Sequence, residues 1–171
     1  LIIYNQASES GGGIYGSGTI DSLVIAKNNA VNGGGVHLTH GGIIKNSTIQ
    51  DNTGSEQIKS DMGITIKNSN IFMNENPNNI IGVYYWYSIE STSISDCNFI
   101  TYGTAIHNTI SSVIVDADSN YWGHSSGPYH PTQNSSGQGD SVNAYVNIDP
   151  WLTTPNTDAP PIPAQNTAVT G

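Results

Sequence analysis

Five near-repeats, 22 to 25 residues apart, constrain the fold of this chain more than any other feature. Each begins with an apolar residue, and these first residues are Ile14, Val36, Ile58, Val83 and Ile106. Self-similarity at this period is typical of a solenoid, in which each unit stacks on its neighbour to bury a shared core. A length of 171 residues then predicts one solenoid domain with a short tail.

A second motif, apolar-x-Asn-x-x-apolar-x-x-Asn, recurs inside these units. It is complete in residues 44–52 and 66–74, and weaker in residues 24–32. Asn tolerates positive φ, so the motif indicates short strands joined by tight bends. No window shows a helical period, and the hairpin dipeptide Asn-Gly occurs only at Asn32-Gly33. The sequence therefore predicts an all-β fold, a single-stranded parallel β-helix with three short strands per turn and about five to six coils.

These repeats resemble the parallel β-helix repeat of the pectate-lyase-like superfamily. Residues 120–123 (Asn-Tyr-Trp-Gly), 126–128, 137–140 and 149–152 (Asp-Pro-Trp-Leu) are similar to the closing segment of β-helix domains in secreted bacterial and archaeal surface proteins. The resemblance implies a right-handed coil, which agrees with the preference of parallel crossovers. It also implies an extracellular or cell-surface location. We expect Trp122 and Trp151 to cover the end of the coil.

The predicted domain comprises residues 1–152, with residues 120–152 as its closing segment. Residues 153–171 have the composition of a Pro-rich linker or tail. The sequence starts at Leu1 without an initiator Met or a signal peptide, which is expected of a processed form or a piece of a longer protein.

Charge excludes some partners. The chain has 4 Lys and no Arg against 13 Asp and Glu, which gives a net charge of −9. Such a surface repels phosphates and anionic lipid, so we expect neither nucleic acid binding nor membrane insertion. No apolar stretch approaches the length of about 20 residues that a membrane-spanning helix needs.

One sheet face is a candidate binding surface. If the first residues of the repeats point inward, the residues that follow them point outward. This places Tyr15, His37, Lys59, Tyr84 and His107 in one outer row, with Trp86 in the next. In the superfamily that the chain resembles, polysaccharide binds the outside of one sheet, and aromatic rings suit sugar rings. The same residue types are also favoured on a purely structural sheet face, because they pack well across strands.

Residues for catalysis are scarce. A lyase acting on uronates needs a strong base and a positive charge against the carboxylate, usually Arg, which this chain lacks. A hydrolase needs two carboxylates about 5–9 Å apart, for which Asp116 and Asp118 are the nearest sequence pair. With Asp140 they are also weak candidates for a calcium site, although no ligand spacing supports it. We therefore expect no catalytic residues and no cofactor, with calcium as the one candidate ion.

The sequence thus favours a non-enzymatic extracellular module with a structural or adhesive role, which binds polysaccharide on one sheet face. Two alternatives remain open. The first is a subunit of an extracellular filament that self-associates end to end or by strand addition, with Leu1-Ile2-Ile3 as an open edge and residues 165–170 as the donor. The second is a polysaccharide lyase or hydrolase of the β-helix superfamily.

Overall fold

A computed structural model describes residues 1–73, 80–84, 91–101 and 103–161. Its described part contains strands and no α-helix. The strands are β1 (Ile2–Ile3), β2 (Ile14–Asp21), β3 (Val24–Ala26), β4 (Val36–Lys45), β5 (Thr48–Gln50), β6 (Ile58–Ser60), β7 (Ile64–Lys67), β8 (Asn70–Phe72), β9 (Ile81–Val83), β10 (Ser93–Ser95), β11 (Asn98–Ile100), β12 (Thr104–Asn108), β13 (Val115–Asp116), β14 (Pro128–Tyr129), β15 (Gly139–Val142) and β16 (Val146–Asn147).

The strands coil into a solenoid with three faces. One face is a five-stranded sheet in the order β1-β3-β5-β8-β11. The other two faces belong to an eleven-stranded sheet, because the first half of the long strand β4 pairs with β6 and its second half pairs with β7. All pairs among these named strands are parallel. The prediction of an all-β parallel solenoid with three strands per turn is confirmed.

The core consists of columns of apolar side chains, one behind each face. Behind the five-stranded sheet, aligned positions of successive strands carry Ile2, Ile25, Ile49, Ile71 and Phe99. A second column contains Ile20, Ile44, Ile66 and Ile94. Most of these side chains are fully buried, and burial of each contributes about 1.5–3 kcal/mol. Strand stacking alone puts equivalent residues in contact, which is why one short repeat suffices to build the core.

The third column corrects one sequence assignment. It contains Ile14, Val36, Ile58, Ile81 and Ile106. Ile81 therefore takes the position assigned to Val83, which instead aligns with Ser60 and Asn108. Both Ile81 and Val83 are buried, because residues two apart on a strand point to the same side. Ile14 is only half-buried and packs at the edge of the core.

The bends use residues that accept a left-handed backbone. At one corner the aligned bend residues all have φ between 48° and 56°: Ser22, Asn46, Asn68, Asp96 and Ser119. The side chain of Asn68 donates to the Oδ1 atom of Asn46 (2.8 Å), so neighbouring turns are joined outside the core as well. The prediction of Asn-based bends is confirmed for the first Asn of each complete repeat, Asn46 and Asn68. The second Asn of one repeat, Asn52, is buried instead, and that of the other, Asn74, lies outside the described residues.

A second asparagine ladder lies inside the solenoid. Asn28 and Asn52 are fully buried, and the Asn28 amide donates to the Oδ1 atom of Asn52 (2.9 Å). Asn52 in turn donates to the carbonyl of Ile25 and to the side chain of Gln57. The sequence motif had instead placed Asn32 in register with Asn52, but Asn32 donates to the Glu9 carbonyl (3.4 Å). Asn29, next to Asn28, is exposed and bonds to Thr53.

The closing segment replaces the last expected coils. The solenoid has about four turns, not five to six. Among the described residues, no strand follows β11 in the five-stranded sheet, whereas β14, β15 and β16 extend the other sheet. The Trp122 indole is fully buried and stacks on Phe99, with 4.7 Å between ring centroids, and Trp151 packs partly on the core. Both tryptophans therefore cover this end, as expected.

Residues 153–161 run back along the side of the solenoid. The Asn156 N–H donates to Oδ1 of Asn98 (2.7 Å), and its amide donates to Oδ1 of Asn68 (3.1 Å). The carbonyl of Pro160 accepts a bond from Asn70, one turn further back. The predicted strand donor, residues 165–170, lies outside the described residues.

Candidate functional site

The predicted outer row exists, with one change of member. Tyr15, His37 and Lys59 are aligned on successive strands, and the same position on the next two strands is held by Gly82 and His107. They alternate with core residues, so their side chains are directed to the outside of the sheet. Tyr84 is therefore not aligned with this row, because the strand is shifted by two residues from the predicted register.

Tyr84 nevertheless reaches the row from its position after β9. Its ring covers Gly82, where an added Cβ would lie 2.8 Å from the ring atom Cε2 and 2.7 Å from Glu56 Cγ. The Nζ atom of Lys59 lies 5.0 Å from the centre of the same ring, a cation–π contact. The absence of a side chain at residue 82 thus leaves room for the aromatic ring on the row.

His37 is directed outward but is covered. Its exposed fraction is only 5%, whereas the neighbouring Tyr15 is 63% exposed and stands edge-on to the imidazole at 5.3 Å. The Nε2 atom of His37 lies 2.8 Å from Oδ2 of Asp61, a pair in which the imidazole N–H donates to the carboxylate. The other polar atom of each side chain, Nδ1 of His37 and Oδ1 of Asp61, is buried without a hydrogen bond.

A second carboxylate, that of Glu56, and the ammonium group of Lys59 belong to the same cluster. Lys59 Nζ is 3.8 Å from Oδ1 of Asp61 and donates to Oδ1 of Asn32 (3.3 Å). Glu56, only 3% exposed, accepts hydrogen bonds from the hydroxyls of Tyr84 and Ser55. Burial, and then the Glu56 carboxylate, raises the pKa of Tyr84 well above its usual range, so this hydroxyl stays protonated and remains a donor.

The structure brings together Tyr15, His37, Lys59 and Tyr84 from the predicted set; these four residues are called the outer face below. His107 is half-buried and lies two strands beyond Lys59. Trp86 lies outside the described residues. Sequence reasoning missed Glu56, because it lies in the bend before β6, where strand alternation says nothing about side-chain direction.

The calcium candidates do not share a site. Asp116 accepts a bond from the Asn147 amide (3.0 Å), while Asp140 accepts one from the Thr101 N–H (2.8 Å). No group of three or more His, Cys, Asp and Glu side chains is placed to hold a metal ion within residues 1–73, 80–84, 91–101 and 103–161. Asp118 therefore belongs to no such group either.

Comparison with known proteins adds no relative. No protein-family model, curated protein or solved structure gave a significant match to this chain. In the described part of the chain, no helix has the length and apolarity needed to cross a membrane. Functional inference therefore depends on the geometry of the outer face.

Proposed function

We propose that this chain is a non-enzymatic extracellular module, structural and adhesive, which binds polysaccharide on its outer face. The observation that carries this proposal is the exposed ring of Tyr15, 63% accessible and held edge-on against the buried His37. A ring in this setting presents an apolar surface to solvent without needing a ligand to order it.

The neighbourhood of Tyr15 suits a sugar chain. Sugar rings present C–H groups that pack on aromatic faces, and their hydroxyls both donate and accept hydrogen bonds. Lys59 and Asp61 retain side-chain exposures of 14% and 22%, so both side chains remain partly accessible from the surface. Because the residues lie on stacked strands about 4.8 Å apart, a ligand that follows the row is extended and crosses the strands.

The bonding around the carboxylates favours binding over catalysis. Glu56 is engaged by the hydroxyls of Tyr84 and Ser55, and Asp61 is engaged by His37. A glycosidase needs one carboxylic acid and one carboxylate free to reach the scissile bond. Lys59 is the one cation of the row, and Asp61 and Asn32 hold its ammonium group. The row therefore offers no unengaged positive charge to bind the carboxylate of a uronate.

The assignment to the pectate-lyase-like superfamily, with secretion to the cell surface, belongs to the same proposal. It is supported by the three-faced parallel coil and by the closing segment, in which Trp122 continues the column behind the five-stranded sheet. A coil of this kind offers long, flat faces, which suit extended polymers.

Polysaccharide pull-down with insoluble glycans and a glycan array test the binding proposal. We expect the Tyr15→Ala variant to bind about two- to tenfold more weakly, since loss of aromatic packing is worth about 0.5–1.5 kcal/mol. Tyr145→Ala is the matched control, because Tyr145 is also partly exposed (38%) but precedes β16 on another face.

Failure of the wild-type protein to bind any glycan in a broad screen contradicts the proposal, as does equal binding by the two variants. Release of reducing or unsaturated sugar ends would identify an enzyme instead. Light scattering separates both outcomes from the filament alternative, which requires large assemblies without any glycan.

A further inference from the structure

Every lysine of the chain is engaged. The chain has 4 Lys and no Arg, and all four lysines lie within the described residues. One ammonium group, that of Lys27, lies 5.7 Å from the centre of the Tyr4 ring. Each of the other three lies within 4 Å of a carboxylate, in the pairs Lys45–Asp21 (3.2 Å), Lys59–Asp61 (3.8 Å) and Lys67–Asp96 (3.6 Å). An acidic polysaccharide therefore finds no unengaged ammonium or guanidinium group to pair with.

An exposed carboxylate lies on the rim of the outer face, at Glu9 in the bend before β2. The Glu9 carbonyl accepts from the Asn32 N–H (2.9 Å), and Asn32 Oδ1 accepts from Lys59 (3.3 Å), so this bend borders the row. Two residues later, a Cβ added at Gly11 would lie 2.6 Å from Cβ of Tyr15. Among the described residues, none forms a hydrogen bond or an ion pair with the Glu9 carboxylate. The face thus has an unengaged negative charge near its exposed ring.

The local charge has the same sign as the charge of the whole chain. Around the outer face, Lys59 stands against Glu9, Glu56 and Asp61, which gives 1 − 3 = −2 in a chain of net charge −9. Charges at a surface act over about 8 Å at physiological ionic strength, and they act together on a charged ligand. Such a face repels carboxylate and sulfate groups and attracts ammonium groups.

We propose, on the basis of the proposed function, that the polysaccharide is a polymer of amino sugars with free ammonium groups. Its sugar rings pack on Tyr15 as those of a neutral polymer would. The ammonium group adds two interactions that a neutral sugar lacks. It forms an ion pair with the Glu9 carboxylate, and it is attracted to the face of the Tyr15 ring by a cation–π interaction.

Matched oligosaccharides test this ligand class. The full chain is titrated calorimetrically with a glucosamine oligomer, its N-acetylated counterpart and an oligogalacturonate of the same length, at about pH 6, where amino groups are protonated. We expect the glucosamine oligomer to bind about fivefold more tightly than the N-acetylated one, and the oligogalacturonate to bind most weakly. This preference should shrink between about 20 mM and about 500 mM sodium chloride, because salt screens charges at a surface.

The Glu9→Gln variant removes the charge and keeps the size of the side chain and the backbone bond to Asn32. We expect it to bind the glucosamine oligomer about two- to fivefold more weakly and the N-acetylated oligomer unchanged. The matched control is Asp158→Asn, which alters the net charge equally at an exposed position of the tail. The N–H of Asp158 donates to Asn156, which is bonded to Asn98 of the five-stranded sheet, on another face of the coil.

Three outcomes overturn the proposal: binding of the N-acetylated oligomer as tightly as glucosamine, tightest binding of the oligogalacturonate, or equal weakening by Glu9→Gln and Asp158→Asn. The last would show attraction to the net charge of the chain and not to the rim of the outer face. In the first two outcomes a glycan still binds, so the proposed function survives the loss of this inference. Failure of all three oligomers overturns the inference, and failure of every glycan on the array contradicts the proposed function as well.

Discussion

Replacement of Asn52 by Leu tests the physical basis of the solenoid most directly. The Asn52 side chain is fully buried, and its Nδ2 donates to the Ile25 carbonyl (2.9 Å) and to Oε1 of Gln57 (3.1 Å). Its Oδ1 accepts from the backbone N–H (3.0 Å) and the amide (2.9 Å) of Asn28. A leucine has a similar volume, so the change removes hydrogen bonds without emptying the site.

The magnitude follows from the groups that lose a partner. Two backbone groups, the Ile25 carbonyl and the Asn28 N–H, lose the Asn52 side chain, as do the side chains of Asn28 and Gln57. An unsatisfied buried group costs about 1–3 kcal/mol. The two backbone groups alone therefore lower the free energy of unfolding by about 2–6 kcal/mol. A typical domain has about 5–15 kcal/mol in total, so the loss is a large part of the stability.

Urea unfolding followed by tryptophan fluorescence measures the effect. The matched control is Asn29→Ala, at the exposed asparagine next to Asn28 on the preceding turn, whose side chain bonds to Thr53 on the surface. We expect this control to change stability by about 0.5 kcal/mol or less. If Asn52→Leu unfolds at the same urea concentration as Asn29→Ala, the internal ladder does not stabilise the fold and the reasoning is wrong.

Three further outcomes follow from the core and the closing segment. Phe99→Ala should lower the free energy of unfolding by about 3–5 kcal/mol in the same urea assay, because it removes the ring beneath Trp122. Burial raises the pKa of the Cys97 thiol to about 12, so a thiol reagent at neutral pH should label it only after urea unfolds the chain; rapid labelling of the folded protein contradicts its burial. Burial lowers the pKa of His130, so the unfolded chain binds a proton at a higher pH than the folded chain. The free energy of unfolding should therefore fall as the pH drops below about 6.5. His130→Asn should remove this pH dependence, and an unchanged pH profile in the variant would argue against the assignment.

The two complete repeats made most of the fold predictable. Ile44 pairs with Ile66 and Ile49 with Ile71 in the structure, in the register that the motif predicts. Spacing was sufficient there because an asparagine bend fixes where each strand begins. The bend at Asn46 has the positive φ that this residue type tolerates.

The predicted register was wrong at β9, where two inward positions are equally apolar. Ile81 and Val83 are two residues apart, so both point into the core and alternation alone does not choose between them. The wrong choice placed Tyr84 in the outer row, where the structure has Gly82. Tyr84 still contacts Lys59, because the glycine leaves space for its ring.

The sequence predicted the direction of the side chains in the candidate site, but not how exposed they are. Strand alternation placed Tyr15, His37 and Lys59 on one outer face, and they are aligned there. Alternation does not tell how much of each side chain neighbouring loops and rings shield, so the burial of His37 was not foreseen. Glu56 was missed for a related reason, since the direction of a side chain in a bend depends on the local backbone.

The tail that runs back along the solenoid has a mechanical consequence. Asn156 is bonded beside Asn98, and Pro160 is bonded to Asn70 on the preceding turn. A force that pulls on residue 161 is therefore transmitted first to the flank of the coil, at two neighbouring turns. Hydrogen bonds loaded side by side in this way share the force, whereas a pull on the last strand alone would peel its bonds away one after another. A pull on residue 161 thus meets these two side contacts before it reaches β16.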